Sequence, residues 1–196
     1  MTAFSIYEAI DEIKAKFNVR FHSKKDGSVP DTVEGRKNWT WAIKKAFIEL
    51  GDHNGYKVCT ACNDGQHADL KKGNIECVEW GEWLYDLVWY TDVIYNAPLT
   101  TRTLSVPLVV ECEWDNSISA IAMDFDKLLV ANADLRVLVC SAYNNFPAQH
   151  IIDYCEAAVR GYEQGRKGDC FLLCIMDGRI VDGKKVTLFH TIVKIQ

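Results

Sequence analysis

The run Val109-Val110-Glu111-Cys112-Glu113-Trp114 sets two carboxylates into an otherwise apolar, strand-like segment, and it constrains the chain more than any other stretch. Side chains of a strand alternate between faces, so Val109, Glu111 and Glu113 share one side and Val110, Cys112 and Trp114 the other. At about 3.3 Å per residue the two acids stand about 6.6 Å apart, a span that one divalent cation or a pair can bridge. Carboxylates hemmed in by Leu108, Val109, Val110 and Trp114 are costly to bury unpaired, so the segment must expose that face or neutralise it. Neutralisation by metal is the expectation.

With 196 residues, 48% of them hydrophobic and 11% aromatic, the chain suits a single domain over 1–196 with a sizeable core. No apolar run approaches the roughly 18 residues of a membrane span. Glu8, Asp11 and Glu12 break the basic-then-apolar order of a signal peptide, so a cytoplasmic protein with no membrane partner is expected. A net charge of -5 argues against coating nucleic acid through bulk electrostatics, which depends on Lys and Arg replacing counterions. It leaves a nuclease open, because acids gathered at a metal site lower the net charge while basic pairs such as Lys24-Lys25 or Lys44-Lys45 track a backbone.

The eight cysteines, without an export signal, read as thiols of a reducing compartment, and Cys140, Cys170 and Cys174 fall in apolar strands as small core residues. Cys59 and Cys62, with His67 and Cys77 downstream, are candidate zinc ligands, but a second close-spaced pair is missing and core or surface thiols are the plainer reading. Trp80, Trp83, Trp89 and Trp114 offer stacking surfaces for bases, although aromatic residues in strands more often serve the core.

Taken in order, residues 3–17 carry helical apolar spacing, and 18–36 read as a loop. A second helix covers 36–50 and ends at Gly51 as C-cap. Strands are expected at 56–62 and 82–90, a connection at 96–107, and the acidic strand at 108–114. A helix follows from an N-cap at 115–117 to about 132, then a strand at 135–141, a helix opened by Asn145-Phe146-Pro147 and running to Gly165, and strands at 170–176 and 186–195. Asp86 interrupts the aromatic strand on the face of Leu84, Val88 and Tyr90, where a lone carboxylate needs a compensating partner. A register that sets Asp86 beside Glu111 gathers three carboxylates at a spot suited to magnesium.

This order of helix, three strands, helix and strand, with Asp86 in the second strand and Glu111-Cys112-Glu113 in the third, resembles the core of the PD-(D/E)xK nuclease superfamily over about residues 36–141. The resemblance implies an α/β fold of the restriction-endonuclease-like kind: a mixed central sheet flanked by helices, core order α-β-β-β-α-β, with an N-terminal helix and a C-terminal helix and strands added. It departs from the usual motif at Tyr85, where Pro is common, and at Glu113, where Lys is common.

It further implies Mg or Mn held by Asp86, Glu111 and the backbone carbonyl of Cys112, with Glu113 a further ligand or the group that orients the water. Lys127 is a candidate relocated lysine on the next helix, although its phase, nearly opposite Ile118 at about 100° per residue, points it outward. Glu49, on the helix before the first strand, is a further candidate acid. The implied activity is metal-dependent hydrolysis of phosphodiester bonds in DNA, by a protein that could act as a homodimer. Two other readings stand beside it: an inactive nuclease-fold binding module, and an unrelated α/β protein-interaction domain of the immunity or antitoxin type.

Overall fold

Alternation of Leu, Val and Cys with a second apolar set lets most strands of this chain bury both faces, which calls for helices on either side of a sheet. The computed structural model describes residues 5–22, 33–61, 75–78, 84–96, 99–115, 117–142, 147–177, 180–181, 184–185 and 189–195. Its helices are α1 (Ile6–His22), α2 (Val33–His53), α3 (Ile118–Val130) and α4 (Ala148–Gly161). Its strands are β1 (Lys57–Ala61), β2 (Ile75–Val78), β3 (Leu87–Asn96), β4 (Leu99–Glu113), β5 (Leu135–Ala142), β6 (Cys170–Asp177), β7 (Ile180–Val181), β8 (Lys184–Lys185) and β9 (Phe189–Lys194). A seven-stranded sheet runs β2-β1-β3-β4-β5-β6-β9, and β7 and β8 form a separate hairpin. The fold is therefore α/β with a mixed sheet.

Pairing is antiparallel between β1 and β3 and between β3 and β4, and parallel from β4 to β5 to β6. One face packs Ile13, Ile43, Phe47 and Trp89 with Val110 and Val137 under α1 and α2. The other packs Val88, Val109, Leu138 and Phe171 under Ile121, Phe125 and Leu128 of α3 and Ile151 and Cys155 of α4. Val109 and Val110 thus lie on opposite faces, and the acid after them turns toward α3. Arg136 locks the far end of that helix by donating from Nε and Nη2 to the Ala131 carbonyl at 3.0 and 2.7 Å.

Several boundaries differ from the sequence expectation. The stretch 18–36, expected as a loop, is helical at both ends, since α1 runs through His22 and α2 begins at Val33. Gly51 does not cap α2. It lies inside the helix, where an added Cβ would come within 2.6 Å of Val58 and 2.7 Å of the Trp89 ring nitrogen. The cap is Gly55, at φ +77°, with Tyr56 N–H donating to the Gly51 carbonyl and Gly55 N–H to Asp52, the paired bonds of a Schellman turn.

The expected connection at 96–107 is instead mostly strand. β3 and β4 pair from Leu87↔Val110 to Asn96↔Leu99 as a long hairpin, with register shifts between Trp89 and Asp92. Beyond Tyr90 and before Leu108 neither strand has another partner among the described residues, so Thr and Ser in this arm signal no buried face. Also, α4 stops at Gly161 rather than Gly165. β2, an extra strand between β1 and β3 in sequence, lies outside β1 in the sheet.

Candidate functional site

The site forms where β1, β4, β5 and β6 end and β3 begins, the edge at which open α/β sheets leave a crevice. The β3–β4 ladder starts at Leu87↔Val110, so the next step outward sets Asp86 opposite Glu111. Asp86 reaches across: its Oδ2 accepts the Cys112 N–H at 2.8 Å, adding a side-chain rung where the main-chain ladder has ended. Thr60 Oγ1 donates to the Asp86 carbonyl at 2.8 Å and fixes the same residue from β1. Upstream, Leu84 adopts φ 63°, a left-handed turn unusual outside glycine, which brings Tyr85 and Asp86 onto the strand end.

Two lysines supply the partners that these acids require. Lys44, on α2, is buried, lies 3.0 Å from Asp86 Oδ1 and donates to the Ala61 carbonyl at 3.4 Å. Lys127, on α3, lies 2.8 Å from Asp124 Oδ1 and 3.5 Å from Glu111 Oε1. Sequence phase put Lys127 on the outer face. Its side chain instead leans toward the helix N-terminus, as helical side chains do, and its long stem carries the ammonium back over Asp124 to the sheet.

Glu111 is only 3% exposed, and its Oε1 has only the long 3.5 Å contact with the Lys127 ammonium. Burial, followed by the negative charges of Asp86 and Asp124, pushes its carboxyl up from an ordinary 4.5 to about 9, against the pull of Lys127. Burial alone would lower the Lys127 pKa, but its hydrogen bond to Asp124 and the charges of Glu111 and Asp124 hold it above the ordinary value. Burial and then Glu111 also raise the Tyr85 hydroxyl, while burial raises the Cys112 thiol well above its usual range.

The remaining expected residues fall elsewhere. Glu113 turns along its own chain, its Oε1 accepting the Asp115 N–H at 2.6 Å. Burial raises its carboxyl, and that bond opposes the rise. Glu49 is not in the site: it pairs with Lys16 of α1 at 2.8 Å. Cys59 is buried with Val88 and Tyr90 in the core. Cys62, His67 and the Cys77 side chain, the other candidate zinc ligands, lie outside the described residues, as do Trp80 and Trp83. Trp89 and Trp114 are buried, with Trp114 Nε1 donating to Thr40 Oγ1 at 2.7 Å.

Sequence reasoning missed Lys44 and Asp124 as site residues. Asp124 was visible as the one acid in the buried stripe Ile121, Asp124, Phe125, Leu128 of α3. Lys44 gave a fainter sign, four residues before buried Ile48. Among the described residues, no three His, Cys, Asp or Glu side chains stand close enough together to hold a metal ion as they are, and Lys44 and Lys127 pair with the acids instead.

Comparison with protein-family models, curated proteins and solved structures returned no significant match. Among the described residues, no helix is long and apolar enough to cross a membrane.

Proposed function

We propose that this chain is a metal-dependent nuclease of the restriction-endonuclease-like fold, hydrolysing phosphodiester bonds in DNA. The observation that carries the reading is Glu111: a buried acid at a strand-end crevice, level with Asp86 in the β3–β4 register, whose Oε1 has only a long 3.5 Å contact with Lys127. The path α2, β1, β3, β4, α3, β5, with β2 inserted after β1 at the sheet edge and with two antiparallel steps and then a parallel one, supports it as well.

An oxygen-only donor set suits Mg²⁺ or Mn²⁺, and a bound cation would favour the charged form of Glu111 that burial opposes. Asp86, Glu111 and the Cys112 carbonyl would hold the ion, since a strand residue sends its C=O to the same edge as the N–H that meets Asp86. Once bound, the metal would acidify a water and offset charge on the phosphorane.

The chain supplies the rest. Lys44 holds the Asp86 carboxylate in place from one side while the Cys112 N–H holds it from the other. Lys127, about a third exposed, stands at the mouth and takes the place of the missing strand lysine, orienting water and drawing a phosphate toward the acids. Glu113, with one oxygen committed to its own turn, shapes the rim.

A second reading, an inactive nuclease-fold binding module, is favoured by the lysines that already neutralise Asp86 and Asp124. A cleavage assay separates the two. Wild type and Glu111→Ala are incubated with Mg²⁺ or Mn²⁺ and duplex DNA, single-stranded DNA or RNA. Metal-dependent cleavage of DNA that disappears in Glu111→Ala supports the nuclease. Intact substrates in all wild-type reactions, or equal cleavage by the variant, reject it.

A further inference from the structure

β9 is the last strand of the seven-stranded sheet, and it pairs with β6 without a register shift from Cys170↔Lys194 to Ile175↔Phe189. Just past its end, Ile195 N–H donates to the Asp169 carbonyl at 3.2 Å and the Ile195 carbonyl accepts the Gly168 N–H at 3.1 Å, so both groups face the β6 side. Main-chain groups of an antiparallel strand switch sides from one residue to the next. Lys194, Ile192 and His190 therefore turn theirs to the outer edge, where no described strand meets them.

Such an edge templates further pairing unless a proline, a bulge or a guarding charge blocks it. Phe189–Lys194 contains no proline, and its ladder carries no bulge. Its lysine does not guard the edge either: the Lys194 ammonium is drawn to Tyr7 of α1, donating to the hydroxyl and standing 4.4 Å from the ring centroid. We propose that the outer edge of β9 pairs antiparallel with β9 of a second copy of this chain, about a twofold axis at Ile192, so that one sheet continues across both.

Pairing about Ile192 is self-complementary. It sets Ile192 opposite its symmetry mate and Lys194 opposite His190 of the second copy, so each outward N–H and C=O of these residues gains a partner. The two Lys194 residues then stand about 13 Å apart along the strands, beyond the Debye length of about 8 Å. The same axis, normal to the sheet, lays α4 antiparallel to its mate on one face. Between α4 and β9 runs a groove of about 720 Å³, lined by Val159 and Val193 and by Glu156 and Arg160, an exposed ion pair at 3.3 Å. Reversal sets the acid-to-base order of one helix against the base-to-acid order of the other, the arrangement in which a charged surface complements itself. β9 lies three strands from β4, so this contact and the crevice stand or fall separately.

Sedimentation equilibrium of the full chain from about 1 to 100 µM, with amide exchange followed by NMR at both ends of that range, tests the pairing. Wild type should reach twice the chain mass at the upper end, with the His190, Ile192 and Lys194 amides protected there and exchanging on dilution. Ile192→Pro removes an outward N–H and leaves the bonds to β6 in place, so it should fold and raise the dimer Kd at least about tenfold. Should it not fold, Lys194→Pro, outward in the same way and on an exposed residue, replaces it with the same expectation. A wild type that stays monomeric overturns the proposal. So does a dimer in which those amides exchange freely, or one whose Kd is unchanged in the folded proline variant.

Discussion

The Asp86 carboxylate accepts the backbone N–H of Cys112 at 2.8 Å, so an acid of one strand end pins the neighbouring strand beside Glu111. The same carboxylate lies 3.0 Å from the buried Lys44 ammonium. Together these contacts make Asp86 a joint between α2, β4 and the start of β3.

Lys44→Met removes the cation from that joint and leaves Asp86 partly buried beside Glu111. A loss of about 2 to 3 kcal/mol in urea unfolding is expected, below the full cost of a buried pair because Asp86 keeps some solvent and the Cys112 N–H. Adding Asp86→Asn to Lys44→Met should recover more than half of the loss. A double variant no more stable than the single one contradicts the pairing.

The raised Glu111 carboxyl makes stability depend on pH in a defined direction. Between about 4.5 and about 9 the folded chain holds a proton that the unfolded chain has released. Metal-free stability should therefore be fully present below the lower value and be lost as pH rises through the upper one, by at most about 1.4 kcal/mol per pH unit. Urea melts from pH 5 to 9 should show this fall, and Glu111→Gln should flatten it. A wild-type profile already flat over that range counts against the buried acid.

Gly51→Ala sets two effects against each other. Alanine in a helix gains about 1 kcal/mol over glycine, but the new methyl would meet Val58 and Trp89 at under 3 Å. Trp89 cannot swing aside cheaply, since its Nε1 donates to the Phe47 carbonyl at 3.0 Å. Overpacking of about 1 to 3 kcal/mol should win, so a lower melting temperature is expected and a higher one would contradict the contact.

Arg136→Met removes a buried cation at the start of β5, the end of that strand away from the crevice, from where its charge still reaches Tyr85. It strips the Ala131 carbonyl of both guanidinium bonds and Asp169 of its partner at 3.2 Å. A loss of about 3 kcal/mol with unchanged Mn²⁺ affinity is expected. Weakened ion binding would tie the two ends of β5 together.

The register that brings Asp86 level with Glu111 was one the sequence allowed without fixing it: period-two alternation assigns Val109 and Glu111 to a face, but not the offset of the partner strand. Ser117 as the α3 cap was legible: its side chain accepts the Ala120 N–H, the bond that N-cap serines make. Lys44 was not legible, and Lys127, a candidate through the resemblance, had a helix phase pointing outward, since phase locates a Cβ and not the end of a four-carbon stem. The β3–β4 arm was missed because Thr100, Thr101, Thr103 and Ser105 carry no apolar alternation, and only its pairing reveals it as strand.

The central claim, that Asp86 and Glu111 hold a divalent cation, is tested most directly by calorimetric titration of Mn²⁺ at pH 7 in two buffers of different ionisation enthalpy. One ion per chain is expected in wild type, with about one proton released as Glu111 gives up its hydrogen, and neither uptake nor release in Glu111→Gln. No heat of binding in wild type, or the same binding and proton release in Glu111→Gln, would contradict it.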